Sequence, residues 1–359
     1  MSTIFEKVSH LSAGEQPVVH VAAEPPASWN DYLKSYGYAG FHLRSEWSDI
    51  FRRSLKHRPV FLWTSTGNRI TGVLPLTLIT GPIFGRFLAS QPYLNTGGVL
   101  ADSPVESNLL VSRAVALADQ MNVKQLELRH EQQHAHIAFN ATNTEKVHMR
   151  LTLPQTSEAF WDGLKSKVRS QIRKPLNDGS LTCRFGREDQ LSAFYRIFCR
   201  NMRDLGTPPF PRSLFGEMLS RFPDSAEICT VSLNRQPVAS GFLLHGPGTT
   251  LIPSASSFRE HNRTSCNMLM YWHALKRSIE RGQREFDFGR SSVDAGTHRF
   301  KKQWGSKECP ATWQYYSRQG DISDARPNSG RFDLMIAAWQ KLPVWLTKLV
   351  GPTIVRGIP

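Results

Sequence analysis

The chain has little that would place it across a membrane, in an oxidising compartment or around a metal. No uninterrupted apolar run approaches the roughly 20 residues that a spanning helix needs, and Met1 to Glu15 lacks an apolar core of signal-peptide length. The five cysteines, Cys183, Cys199, Cys229, Cys266 and Cys309, are odd in number, scattered and in no metal-ligand spacing. That predicts reduced, structural thiols and a cytoplasmic protein with at most surface contact to the inner face of the cell membrane. Acidic residues are also short: 30 Asp and Glu against 44 Lys and Arg leave a formal charge of +14. Such a field draws in phosphate-bearing partners, whether coenzyme A, tRNA, a nucleotide sugar or anionic lipid, without choosing among them.

What is there suffices for two packed cores, since 359 residues at 40% hydrophobic content exceed one average domain. Pro17 to Ala23 reads as a strand, Ser28 to Tyr36 and Ser45 to Leu55 as serine-capped helices, and Val60 to Trp63 with Ile70 to Leu78 as a hairpin turning at Gly67-Asn68. Gly81 to Gly98, with Tyr93, reads as a connecting loop, Pro104 to Met121 as a helix and Gln125 to Arg129 as a strand. The same order recurs as strands Glu227 to Leu233 and Val238 to Leu244, helix Asn267 to Arg281 and strand Glu285 to Phe288. Leu126-Glu127-Leu128-Arg129 parallels Phe286-Asp287-Phe288-Gly289-Arg290, as duplication of one unit would produce. The expected domains are 1–144 and 145–325, followed by a tail, 326–359.

His130-Glu131-Gln132-Gln133-His134 matches the H-E-x-x-H pattern of zinc proteases. Its context, after a strand and within a polar run, predicts a solvated linker, and no metal site is expected. Thr156 to Asn177 reads as one helix on which Lys165, Arg169 and Arg173 recur every four residues beside Lys167 and Lys174. Its basic side is either a solvated face or a grip for phosphates. Leu191 to Leu205 reads as a helix. The stiff loop Gly206 to Pro211 that follows either walls a cleft or simply joins helices. The tail sets Leu334, Met335, Ala338, Trp339 and Leu342 among Arg331, Lys341, Lys348 and Arg356 and breaks at Pro343. This amphipathic pattern suits packing on the chain's own domain or lying on an anionic membrane surface.

The most informative stretch is Tyr271 to Gly305. Asp287 emerges near the C-terminal end of a buried strand, where α/β folds place ligands, beside Gly289 and Arg290. Phe300, Lys301 and Trp304 have the spacing of a short helix with two aromatics on one face. Without further information this is equally an apolar anchor bearing a solvated lysine.

Asp287-Phe288-Gly289, the glycine-threonine turn, Phe300-Lys301 and Trp304-Gly305 resemble the end of the acyltransferase domain of FemAB-like proteins, a branch of the GNAT superfamily. Lys165 to Lys174 resembles the basic helix that opens that domain. Arg203 to Pro208 and the tail from Trp339 resemble the exosortase-associated, exopolysaccharide-linked branch. The resemblance implies an α/β (α+β) fold of tandem GNAT-like acyltransferase domains with a C-terminal amphipathic helical tail. It implies transfer of an acyl or aminoacyl group from acyl-CoA or aminoacyl-tRNA, with no tightly bound cofactor, onto an amine-bearing sugar or peptide.

By this resemblance Lys301 stabilises the oxyanion or donor phosphates, Phe300 and Trp304 shape the pocket and Tyr271 contacts substrate or donor; the strand-end position of Asp287 assigns it to orienting or deprotonating the amine. Arg169, Arg173, Lys167 and Arg290 contact phosphate. The glycine loop Q/R-x-x-G-x-G/A that holds the acetyl-CoA pyrophosphate is missing from Arg259 to Asn267, and no long coiled-coil arm for tRNA is visible. A non-catalytic scaffold of a polysaccharide assembly machine and a zinc peptidase are the competing readings.

Overall fold

The computed structural model describes residues 16–81, 84–318 and 333–358. The leader Met1 to Glu15, the ends of the two domain ranges near 325 and Arg331 of the tail lie outside the described residues.

Strand β1 (Val18–Ala22) precedes helices α1 (Trp29–Lys34), α2 (Gly37–Phe41) and α3 (Ser45–Leu55) and the hairpin β2 (Arg58–Thr66) with β3 (Arg69–Gly81). The hairpin turns at Gly67, whose φ of +56° is open to glycine at little cost. Strands β4 (Gly85–Ser90) and β5 (Leu100–Ala101), helix α4 (Pro104–Gln120) and strand β6 (Gln125–His130) follow. Pro104 starts α4, and Ser103 caps it by accepting the Val105 N–H. Next come β7 (Ala141–Asn143), β8 (Lys146–Thr152), α5 (Ser157–Gly163), α6 (Ser166–Asp178), β9 (Leu181–Gly186), α7 (Glu188–Leu205) and α8 (Arg212–Arg221). The meander β10 (Ala226–Leu233), β11 (Gln236–His245) and β12 (Thr249–Ser257) leads through a 3-10 turn, Arg259–Thr264, into α9 (Cys266–Glu280). Last are β13 (Glu285–Ser292), α10 (Gly296–Lys302), β14 (Lys307–Cys309), β15 (Thr312–Tyr316), α11 (Asp333–Lys341) and α12 (Val344–Val355).

The strands form two sheets, ordered β1-β2-β3-β4-β6-β15-β7, with β5 against β3, and β14-β8-β13-β12-β11-β10-β9. Each contains an antiparallel three-strand meander, then a helix, then a strand that pairs in parallel with the last of the three: β6 on β4 and β13 on β12. The duplication legible in the sequence is thus a duplication of topology. Helix α4 covers the first sheet through Leu110, Val111, Ala114 and Leu117, and α9 with α6 covers one face of the second. The other face of the second sheet is covered by α7 and α8 together with Trp47, Ile50 and Phe51 of α3, an element from the first half. Strand β15 likewise returns from beyond the expected boundary at residue 144 and pairs with β6 and β7.

Several expectations need correcting. The helix expected over Thr156 to Asn177 is two helices, because Leu164 and Lys165 take extended backbone angles (ψ 143° and 145°) between α5 and α6. The expected loop Gly81 to Gly98 contains β4, which is buried over Phe87 to Ser90. The strand expected to end at Phe288 runs on to Ser292, because after a bulge it pairs with β8.

Candidate functional site

Strands β12 and β13 pair only over Thr249 to Leu251 and Glu285 to Asp287. Beyond Asp287, β13 leaves β12 and bulges between Asp287 and Arg290 before meeting β8 again. Gly289, at φ +74°, makes the bulge, and a Cβ there would lie 3.0 Å from the Asn95 amide nitrogen of the first half. Alternation along β13 sends Phe286 and Phe288 into the core under α9 and Asp287 to the opposite face, against the first half.

Lys301 reaches this bulge from α10. Its buried Nζ donates to the carbonyl oxygens of Gly289 at 3.1 Å and Arg290 at 2.9 Å. Burial lowers its pKa to about 8, the Asp287 carboxylate opposing this. An ammonium has three N–H donors, so two spent on carbonyls leave one for a ligand. Beneath it Tyr271 packs on Phe288, Phe300 and Trp304 with ring centroids 5.7, 5.0 and 6.1 Å away. Tyr271 and Trp304 are buried in the core, so they support Lys301 from below; Phe300 is half-buried.

Asp287 is buried and already engaged. Its Oδ1 accepts the Gly289 N–H at 2.6 Å, and its Oδ2 accepts Arg150 Nε at 3.2 Å and the Tyr38 hydroxyl at 3.4 Å. The Arg150 guanidinium also donates through Nη1 to Glu131 at 3.0 Å and through Nη2 to the other oxygen of the same carboxylate. A carboxylate, guanidinium, carboxylate chain therefore spans the seam between the halves. Glu285 stands 3.9 Å from Arg150, and burial raises its pKa, with Asp287 and Glu131 adding to the rise. His148, fully buried on the same face of β8 as Arg150, has no protein hydrogen-bond partner on either ring nitrogen, and burial lowers its pKa to about 3.

Arg290 does not lie free for phosphate. It stacks 3.3 Å from the centroid of Trp313, whose ring also carries Arg129 at 4.0 Å. Burial, then the neighbouring Arg129 charge, lower its pKa to about 9. Lys167 and Arg173 are exposed on α6 and Arg169 is half-exposed. Arg169 reaches the Asp162 carbonyl and Arg173 lies over Trp161, while Lys174 reaches the Arg263 carbonyl in the turn leading into α9. Among the described residues none of these four cations forms an ion pair. The structure thus brings Lys301, Asp287 and Arg290 to one bulged strand and sets the α6 cations on the face of the second sheet that α9 covers, opposite to Asp287.

Sequence reasoning passed over Tyr38, Glu131, His148 and Arg150. Arg150 carried a signal, a charge alternating with Met149 and Leu151 inside a strand. Glu131 was obscured by the H-E-x-x-H pattern, and the solvated-linker reading is wrong for His130 and Glu131. His130 is buried at the end of β6 with Nδ1 3.1 Å from Gln314 Oε1, and Glu131 holds Arg150. The run that follows is not helical, so the two histidines do not sit one helical turn apart. Among the described residues, no group of three His, Cys, Asp or Glu is arranged to hold a metal ion.

Residues 163–302 match the family model of the acetyltransferase (GNAT) domain. No curated protein matches the chain. Among solved structures, FemX aligns with a TM-score of 0.66 at 13% identity, over 84% of this chain and 98% of its own. A tandem GNAT protein from the clavulanic acid biosynthesis pathway aligns with a TM-score of 0.54 at 11% identity, over 86% and 100%. L-PGS from Bacillus licheniformis aligns with a TM-score of 0.52 at 12% identity, over 88% and 96%. At these identities the likeness is one of fold: two GNAT-like units in tandem.

Proposed function

We propose that this FemAB-like protein of the GNAT superfamily is an N-acyltransferase that moves an acetyl or aminoacyl group from a phosphate-bearing donor to an amine on a sugar or peptide. Its place is proposed as exopolysaccharide or cell-envelope biosynthesis, in the cytoplasm at the inner face of the cell membrane. The observation that carries the reading is Lys301, buried and tied to the bulge of β13 where that strand parts from β12, inside the segment that matches the GNAT domain.

The amine lone pair attacks the donor carbonyl, a C–N bond forms, and the C–S bond of a thioester or the C–O bond of an aminoacyl ester breaks. The third N–H of Lys301 meets the oxyanion that develops, or the phosphate of the leaving group. Asp287, held by Arg150 and the Gly289 amide, orients the acceptor or takes the proton from its ammonium form, the neutral amine then attacks, and the proton its nitrogen loses on C–N bond formation leaves with the departing thiol or hydroxyl. The α6 cations Lys167, Arg169 and Arg173 act at a distance, on donor phosphates.

Acyl-CoA is the donor ordinary for GNAT enzymes; aminoacyl-tRNA is the alternative within the same reading. The test is label transfer from acetyl-CoA and from aminoacyl-tRNA to amino sugars and peptides, comparing the wild-type chain with Lys301→Ala. Loss of one charged donor at the reacting carbonyl costs roughly 3 kcal/mol, about 100-fold in turnover. Wild-type rates in a folded Lys301→Ala protein would overturn the assignment, and transfer to none of these acceptors would favour the scaffold reading.

A further inference from the structure

We propose that α11 and α12 form a rigid platform that docks the protein on an anionic lipid surface. Single exposed apolar side chains are ordinary. Here Leu334, Met335, Trp345 and Leu349 are 86, 61, 66 and 69% exposed along one pair of helices. Leu205, 53% exposed, ends α7 beside Gly206, whose backbone meets Ile336. This surface is held on a folded frame. Arg203 Nη1 donates to the Leu342 carbonyl at 2.9 Å and Gln340 Nε2 to the Asp204 carbonyl at 3.3 Å. On the far side of α12, the Tyr93 hydroxyl donates to the Arg356 carbonyl at 3.2 Å, and Gly351 lies so close to Pro209 that a Cβ would collide with its ring.

The spacing separates two faces of α12. Thr347, Gly351 and Val355, four residues apart, are buried, while Trp345 and Leu349, at i and i+4, face out together, and Lys348 at their border is exposed with its Nζ 5.6 Å over the Tyr195 ring. Helix α12 contains no Asp or Glu, α11 contains only Asp333, and Lys341 and Lys348 are exposed. Exposed tryptophan and leucine bordered by lysine, on a chain of charge +14, match the interfacial layer of an anionic bilayer in both hydrophobicity and sign. No helix among the described residues is long and apolar enough to cross a membrane, and α12 at 12 residues would lie along the surface.

This deepens the localisation reading above, but vesicle binding and acyl transfer are separate readouts and either can fail alone. The experiment floats the full chain with phosphatidylglycerol vesicles and with phosphatidylcholine vesicles, at about 20 mM and about 500 mM salt. Trp345→Glu/Leu349→Glu and Lys341→Glu/Lys348→Glu variants run alongside, with circular dichroism and light scattering on each. The wild-type chain is expected to float with phosphatidylglycerol vesicles at low salt, and partitioning should fall by about tenfold or more at high salt and in either variant at unchanged helicity. No flotation of the wild-type chain, or equal flotation of a folded Trp345→Glu/Leu349→Glu variant, overturns the proposal. A wild-type dimer that ignores vesicles and that the same variant converts to monomer would also overturn it, assigning the face to a second copy of the chain.

Discussion

Lys301 and Arg150 show how a buried charge depends on what surrounds it. With its pKa lowered to about 8 by burial, Lys301 loses its proton above that pH. If the ammonium is the working form, kcat/KM falls by about tenfold per pH unit above pH 8, and Lys301→Arg keeps whatever activity it has into more alkaline solution. Stability should move the other way. An unfolded lysine titrates near 10.4, so between pH 8 and that value the unfolded chain binds the proton that the folded one has released. Stability relative to Lys301→Met therefore rises through that window. Paired pH profiles of rate and denaturation midpoint test both limbs at once. Arg150 is the reverse case, a cation whose removal strands Asp287, only 3% exposed, with Glu131 and Glu285 nearby. Arg150→Ala should cost roughly 3 to 5 kcal/mol, and Arg150→Met with Glu131→Gln and Asp287→Asn should recover much of that. Urea midpoints decide this, and no loss in the single variant would mean that the seam is solvated.

At the scale of elements, strong periodicity carried the reading furthest. Helix α4, the β2-β3 and β10-β11 hairpins and the whole span of α9 were legible because one face or turn of each is apolar or glycine-marked. Several were not, among them α8 and β12, the latter within a stretch read as a loop. Strand β4 was hidden by flanking glycines, and the α5-α6 break is marked only by the single Gly163 that ends α5, inside a basic periodicity that reads as continuous. Strand β15 is recognisable only by its partners β6 and β7, and the bulge in β13 follows from its re-pairing with β8. The site divided along the same line. Lys301 and Asp287 lie in a local motif and could be read, whereas Tyr38, Glu131 and Arg150 meet Asp287 only through tertiary contacts. Helix α6 offers an element-scale prediction, because among the described residues no carboxylate forms an ion pair with Lys167, Arg169 or Arg173. Arg169→Ala/Arg173→Ala should raise the donor KM by about tenfold while kcat stays within about twofold, since grips far from the reacting carbonyl supply uniform binding. Unchanged donor KM in steady-state kinetics would return α6 to the status of a solvated face.

At the scale of the molecule, the chain is two sheets that cannot be cut apart at one bond. Strand β15 sits between β6 and β7, and Trp313 within it lies against Arg129 of the first sheet and Arg290 of the second. Conversely Trp47, Ile50 and Phe51 of α3 are fully buried in the core of the second sheet, with Phe222 4.8 Å from the Trp47 ring. A fragment ending at residue 144 would lack β15, expose the edge of β6 and turn those three large side chains to water. Burial of each such side chain is worth about 1.5 to 3 kcal/mol, so losing three offsets most of the stability of an ordinary domain. The expected outcome is that residues 16–144 alone form no cooperatively folded unit. The full chain should melt in one transition whose calorimetric and van't Hoff enthalpies agree. Two resolved transitions by calorimetry, or a fragment 16–144 with dispersed amide resonances, would show that the halves are separable and that β15 and α3 merely dock on finished domains.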